Sequence, residues 1–277
     1  MTKTWLITGC SSGFGRILAE AVLARGDQAI ITARDPESLR DLVARYPDAA
    51  HAMTLDVTKA GDAAAAAAEV EARFGGLDIL VNNAGFGFVG AVEESEPAEY
   101  RPMFETNVFG LIETTRAVLP ALRRSGGGRI VNFSSVGGIT GRMGFGLYNA
   151  TKFAVEGLSE ALAEEVEPFG IKVVIVEPGA FRTDFLGRSI ASAANVLPAY
   201  AETAGWTRQY REDDDGSQAG DPQKAIAVLL KAVDEASPPL HLPLGKDAYA
   251  RARAKFAAFQ ADMAAWEAQA TDTGFEA

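Results

Sequence analysis

Tyr148 and Lys152 stand four residues apart in the run Tyr148-Asn149-Ala150-Thr151-Lys152, and Ser135 lies thirteen positions before the tyrosine. Positions i and i+4 share one face of a helix. An ammonium beside a phenol favours the phenolate and lowers its pKa. At about 4 Å and an effective dielectric near 20 the attraction is roughly 4 kcal/mol, or about three pKa units before desolvation. The spacing therefore predicts a phenol able to exchange a proton near neutral pH. Acid–base work on a carbonyl or alcohol oxygen requires this.

A second group of residues can hold a nucleotide. Thr8-Gly9-Cys10-Ser11-Ser12-Gly13-Phe14-Gly15 follows an apolar run and leads into a helical pattern. Glycines there permit a tight turn and let the backbone approach a pyrophosphate, whose charge a helix N-terminus favours. Gly9, Ser11, Ser12, Gly13, Phe14 and Gly15 are the expected contacts. A glycine triplet alone is a weak signal; its place between strand and helix strengthens it. The second strand ends in Thr32-Ala33-Arg34-Asp35. A small residue followed by arginine leaves room for a 2′-phosphate and offers a bidentate partner, so NADP(H) is expected over NAD(H). Asp35 would oppose that phosphate if it pointed inward. Asp56 and Val57 close the third strand, where a carboxylate can accept from an adenine amino group. Asn82-Asn83-Ala84-Gly85 closes the fourth; the amides can tie strands together, and Gly85 allows close approach of a cofactor.

These residues need a frame. Short apolar runs at 5–8, 29–32, 52–55, 79–82, 130–133, 173–176 and 240–242 alternate with helical patterns at 15–25, 36–46, 60–74, 99–124, 147–169 and 222–236. Near-continuous apolar strands are covered by helices on both faces. The alternation predicts an α/β fold, a Rossmann-type doubly wound parallel sheet of about seven strands, with ligands at the carboxyl ends. One domain over 1–277 is expected. The stretch 181–220 interrupts the alternation, with Phe185, Tyr200, Trp206 and Tyr210, and is expected to act as a substrate lid. The segment 246–277 is expected to be a helical extension, with Tyr249, Phe256, Phe259, Met263 and Trp266 docking on the body or on a second subunit.

The formal net charge of −11 repels phosphate backbones, which argues against a nucleic-acid partner. Cys10 is the only cysteine, so no intrachain disulfide forms. With no apolar leader and no run near the ~20 residues that span a bilayer, the expected location is the cytoplasm. His51 and His241 are isolated in sequence, and no metal site is expected.

Taken in order, Thr8 to Gly15, Asp56, Asn82 to Gly85, Asn107, Ser135, Tyr148-x-x-x-Lys152, Pro178-Gly179 and Thr183 resemble the short-chain dehydrogenase/reductase family, in its single-domain branch. The resemblance runs from residue 4 to about residue 184. It implies that Tyr148 is general acid in reduction and general base in oxidation. It implies that Lys152 holds the nicotinamide ribose and that Ser135 orients the substrate oxygen. Asn107 resembles the family's helix-kinking asparagine, which holds a water that relays protons to the lysine; unaided, it reads as a helix-surface residue. Pro178, Gly179 and Thr183 resemble the turn and hydroxyl that bind the nicotinamide carboxamide, and Arg34 the arginine of NADP-preferring members. The resemblance also implies a homodimer or homotetramer through the helices at 99–124 and 147–169.

Substrate contacts are expected from the loops after the fourth, fifth and sixth strands. Phe86, Phe88, Val136, Met143, Phe145, Phe181 and Phe185 would form an apolar wall, which predicts a small hydrophobic ketone, aldehyde or alcohol. The stretch 178–185 is similar to steroid- and retinoid-type members. The rival reading is a dinucleotide-sensing regulator on the same fold that performs no turnover; such proteins typically lose the Tyr-Lys pair or the serine.

Overall fold

The computed structural model describes residues 2–275, so the last two positions of the expected 246–277 extension lie outside the described residues. The chain opens with β1 (Thr4–Ile7), α1 (Gly13–Ala24), β2 (Gln28–Ala33), α2 (Arg40–Arg45), β3 (Ala50–Thr54), α3 (Asp62–Phe74) and β4 (Ile79–Asn82). It continues through β5 (Gly87–Val89), α4 (Pro97–Phe104), α5 (Gly110–Arg124), β6 (Gly128–Phe133), α6 (Val136–Ile139), α7 (Gly146–Val166) and β7 (Ile171–Pro178). The remainder is β8 (Ile190–Ser192), α8 (Ala204–Asp214), α9 (Pro222–Asp234), β9 (His241–Leu244) and α10 (Lys246–Ala270).

Seven strands form one parallel sheet in the order β3-β2-β1-β4-β6-β7-β9. Side chains alternate across it. Trp5, Ile7, Ile31, Val81 and Val176 enter a core shared with α1 and α9 through Leu18, Val22, Ile226 and Leu229. Leu6, Ile30, Leu80, Ile130 and Ile175 enter the opposite core, shared with α3, α5 and α7 through Val70, Val118, Leu122, Leu162 and Val166. Burial on both faces is why the five inner strands read as continuous apolar runs rather than alternating ones. The chain order reverses between β1 and β4, the switch point where a crevice opens at the strands' carboxyl ends.

Two departures from the sequence reading matter for the site. The helix expected over 99–124 is divided. A π-helical turn, Glu105–Phe109, separates α4 from α5, and Asn107 in it is buried rather than on the surface. Gly110 follows because a Cβ there would lie 2.5 Å from a Val57 methyl. The 181–220 stretch also carries structure of its own. β8 pairs in parallel with β5, and α8 closes over them. The Glu94 carboxylate, fully buried, pairs with Arg208 of α8 and accepts from the Leu197 and Ala91 amides at 2.9 and 2.8 Å.

Candidate active site

The crevice at the switch point is a continuous cleft of about 1430 Å³, running from Arg34 past the glycine turn to Tyr148 and on to Tyr210 and Arg251. Pockets for a single small ligand commonly measure about 300–1000 Å³, so this cleft has room for a dinucleotide and a substrate together.

At the nucleotide end, Gly9 and Gly13 adopt positive φ of 72° and 54°. A Cβ on Gly9 would lie 2.9 Å from the Ala84 Cα, so only glycine lets the β1 turn meet the β4 turn. The Asn83 amide fixes that meeting by donating to the carbonyls of Thr8 and Gly9, each at 3.0 Å. Gly15, expected to contact the cofactor, does not line the cleft. Its missing Cβ would sit 2.3 Å from the Asn83 nitrogen, so it serves close packing of α1 on the turn. Ser12, at the N-cap of α1, makes no side-chain capping bond. The first N–H groups of α1 therefore face the cleft beside Ser11, Ser12, Gly13 and Phe14. This cradle fits a pyrophosphate.

Arg34 is exposed on the cleft wall. Asp35 turns away to cap the 3₁₀ turn Pro36–Leu39, accepting from the Glu37 amide at 3.0 Å, so its carboxylate does not oppose a phosphate. Asp56 lines the cleft with Val57 and accepts from the Thr58 amide and hydroxyl at 3.1 and 2.8 Å. The Thr58 hydroxyl and amide hold its carboxyl below the usual range despite partial burial. Ala84, Gly85, Pro178, Gly179 and Thr183 also line the cleft.

At the chemical end, Ser135, Tyr148 and Lys152 converge on the same wall. A buried polar ladder holds α7 in place. Asn82 donates to Thr115 and Asn132, each at 2.9 Å, and Asn132 donates to Ser159 at 2.8 Å, linking α5, β4, β6 and α7. Lys152 donates to the Phe133 carbonyl at 2.7 Å. Its ammonium lies 5.9 Å from the Tyr148 ring centre.

The expected acidification of Tyr148 does not hold in this arrangement. Burial pushes its phenol up to about 12, and the Ser135 hydroxyl beside it offsets only part of that rise. Burial also pushes Lys152 down to about 8, against the pull of Glu156. Desolvation is the largest effect on both groups, and the lysine ammonium donates to the Phe133 carbonyl rather than to the phenol.

Asn107 does not face the cleft. Its Oδ1 accepts from the Phe86 amide at 3.0 Å, and its Nδ2 donates to the Phe86 carbonyl and the Thr151 hydroxyl at 2.9 and 3.1 Å. It joins the loop after β4 to α7, and so positions both cleft walls.

Of the expected apolar wall, Phe86, Val136, Phe145, Phe181 and Phe185 line the cleft. The Phe145 and Phe185 rings lie 6.1 and 5.5 Å from that of Tyr148. Phe88 does not line it. The β5–β8 pairing directs Phe88 into a satellite core with Met103 and Ile190. Met143 is 48% exposed and outside the cleft; only its carbonyl is used, accepting from Thr207 at 2.8 Å. The sequence reading missed the cationic groups at this end. Arg142 stacks on Trp206 and Tyr210, 4.5 and 5.0 Å from their centres, and Arg251 approaches from α10. Burial and the Arg142 charge hold Arg251 below its usual pKa. Arg142 was legible in the loop before Tyr148; Arg251 was not, because it arrives from a helix a hundred residues on.

His241, isolated in sequence, is not isolated in space. Its Nδ1 lies 2.7 Å from the buried Glu177 carboxylate and 3.6 Å from that of Glu156. Glu156 stands one turn beyond Lys152 on α7. The ligand atoms of all three lie within 4.8 Å of one another. Burial and their shared negative charge hold the Glu156 carboxyl well above the usual range, and burial does the same for Glu177. His51 similarly meets Glu69 at 3.4 Å.

The short chain dehydrogenase family pattern matches residues 3–193. "Oxidoreductase BOA17" of Botryotinia fuckeliana is 39% identical over 249 residues, 90% of each chain. A 3-ketodihydrosphingosine reductase of Bacteroides thetaiotaomicron is 37% identical over 241 residues, 87% of each. Among solved structures, a short-chain dehydrogenase from Streptomyces avermitilis superposes with a TM-score of 0.93 at 50% identity, covering 99% of this chain and 100% of that one. A Sphingobium yanoikuyae short-chain dehydrogenase in complex with NADPH gives a TM-score of 0.73 at 31% identity, covering 95% of each chain. A Brucella melitensis 3-ketoacyl-(acyl-carrier-protein) reductase complexed with NADH gives 0.74 at 28%, covering 87% of this chain and 96% of that one. Neighbours thus bind either nicotinamide dinucleotide, and the glycine cradle described above fits one. The chain belongs to the short-chain dehydrogenase family and is an NAD(P)-dependent oxidoreductase.

Proposed function

We propose that this oxidoreductase interconverts a largely apolar ketone or aldehyde and its alcohol, with NADP(H) preferred to NAD(H). The observation that carries the reading is the single cleft wall shared by Ser135, Tyr148 and Lys152, bordered by Phe86, Phe145 and Phe185. The ketone named in 3-ketodihydrosphingosine reductase is in keeping with it. Arg142 and Arg251 at the far end suit a substrate whose apolar body ends in a carboxylate or another anion.

In the proposed site the first turn of α1 with Ser11 and Ser12 holds the pyrophosphate, Asp56 and Val57 the adenine, and Arg34 the 2′-phosphate. Lys152 binds the nicotinamide ribose; Pro178, Gly179 and Thr183 face the carboxamide. When bound, the nicotinamide supplies or accepts the hydride. The protein supplies the proton and the geometry. Ser135 orients the substrate oxygen, and Tyr148, held protonated by burial, donates to it in reduction. Lys152 keeps a positive charge near the developing alkoxide. Asn107 acts by holding the Phe86 loop against α7.

The body is proposed to be one domain, with 181–220 as the lid over the substrate. A cytoplasmic homo-oligomer through α5 and α7 is proposed as well, and exposed Phe109 and Phe153 on that side are in keeping with it. No helix among the described residues is long and apolar enough to cross a membrane. The test is loss of NADPH absorbance with a panel of apolar ketones and aldehydes. Turnover confined to small charged sugars would end the substrate reading. Cofactor binding without turnover on any carbonyl would favour the regulatory alternative.

A further inference from the structure

The C-terminal helix leaves the body carrying an uncovered apolar seam. Ala248 and Ala252, in the first turns of α10, are buried against the body. From 253 to 270 every residue is exposed. The face that begins at Ala252 nevertheless continues outward as Phe256, Phe259, Met263, Trp266 and Ala270, in alternating steps of four and three. Phe256, Phe259, Met263 and Trp266 are 57, 54, 58 and 68% exposed. A repeat of 3.5 residues is the pattern of a two-helix seam with interlocking side chains, not of a helix meant for water. In folded proteins most of a helix's stability comes from packing its apolar face.

We propose that a second copy of this chain covers the seam, with the two α10 helices antiparallel about a two-fold axis. The flanking charges select both partner and direction. Lys255 and Asp262 lie seven residues apart on one flank of the seam. When Phe256 packs opposite the partner subunit's Phe259, Lys255 faces the partner's Asp262. The two-fold axis repeats the pair as Asp262 against the partner's Lys255, so both contacts attract. In a parallel pair, Asp262 would instead face the partner's Glu267, and both contacts would repel. The exposed part of the helix carries Arg253 and Lys255 against Asp262 and Glu267, so it is neutral. The whole chain carries −11. That balance gives no attraction to an anionic lipid surface and suits a charge-matched copy of itself.

This contact is separate from the proposed interface through α5 and α7, so with these two contacts building the assembly, loss of the seam halves it. The test is the mass of the full-length protein by light scattering at micromolar concentration, with helicity and turnover measured alongside. Phe259→Glu with Met263→Glu is expected to halve the mass and leave turnover per subunit intact. Lys255→Asp alone, or Asp262→Lys alone, is expected to weaken association about tenfold, and the double charge swap to restore it. Should the phenylalanine–methionine variant lose its fold, the swap series still decides. A monomeric wild type, an unchanged mass in the glutamate variant, or no rescue by the swap would overturn the proposal. So would seam-dependent binding of the wild type to phosphatidylglycerol vesicles with no self-association.

Discussion

The Lys152 ammonium is held by the Phe133 carbonyl at the end of β6, 2.7 Å away, rather than by the phenol one turn earlier on its own helix. The bond points the lysine at the strand end where the nicotinamide ribose is proposed to lie, and the depth of that position brings its pKa down to about 8. The charge proposed to assist the reaction is thus present at neutral pH and disappears in mildly alkaline solution. We expect kcat/KM to fall as pH rises through about 8. Lys152→Arg should remove that limb at a lower overall rate. A profile flat to pH 10 in the native enzyme would contradict this assignment.

Tyr148 is proposed as the proton donor. Tyr148→Phe should lower kcat/KM by about 10²–10⁴, the usual contribution of a positioned acid, while NADPH affinity changes little. Fluorescence titration of NADPH beside steady-state kinetics separates the two quantities. Equal losses in both would mean that the ring packs the site and does no proton transfer.

The Asp35 carboxylate is committed to its own turn and does not compete for Arg34, whose charge at the cleft mouth also reaches Asp56. Arg34→Ala should raise KM for NADPH by about 10–100-fold, as expected for a lost charge-assisted contact, with little change for NADH. The ratio of kcat/KM for the two cofactors is the readout.

Arg142 is stacked between solvent and the aromatic pair Trp206 and Tyr210. If it receives the anionic end of a substrate, Arg142→Gln should raise KM about tenfold for a ketone bearing a terminal carboxylate. KM for the corresponding methyl ester should stay unchanged. Parallel changes for acid and ester would point to a packing role instead.

The Glu156–Glu177–His241 cluster makes a prediction about stability. Both carboxyls are raised above the ordinary 4.5 in the folded protein. The folded state therefore keeps protons that the unfolded state has lost. The stability they contribute is complete below about pH 4.5 and declines as pH rises through neutrality. Glu177→Gln removes one charge from the buried group and should flatten this alkaline decline in denaturant midpoints measured from pH 5 to 8. A decline as steep as in the native protein would place its origin elsewhere.

Much of this molecule could be read along the chain. The inner sheet strands are apolar on both faces, so their runs announce themselves, whereas the edge strands β3 and β9 carry His51, Thr54 and His241 and read more weakly. The glycine turn, Ser135, Tyr148 and Lys152 carry local spacings that local backbone geometry honours. Other features arise only when distant segments meet. β5 and β8 are three residues each and exist because they pair with one another, which buries Phe88 and leaves Met143 outside the cleft. Asn107 is buried because a π turn rotates it inward against Phe86 and Thr151. His241 meets its two carboxylates, and Arg251 meets Arg142, only after the sheet has closed. The pKa of Tyr148 went against expectation for the same reason. Helix spacing sets the lysine near the phenol, but burial is a property of everything packed around them, and here burial is the larger effect. Sequence determined the strands, the turn and the order of reactive groups because those depend on neighbours along the chain. Tertiary structure decided desolvation, charge clustering and which aromatics face the cleft, because those depend on neighbours in space.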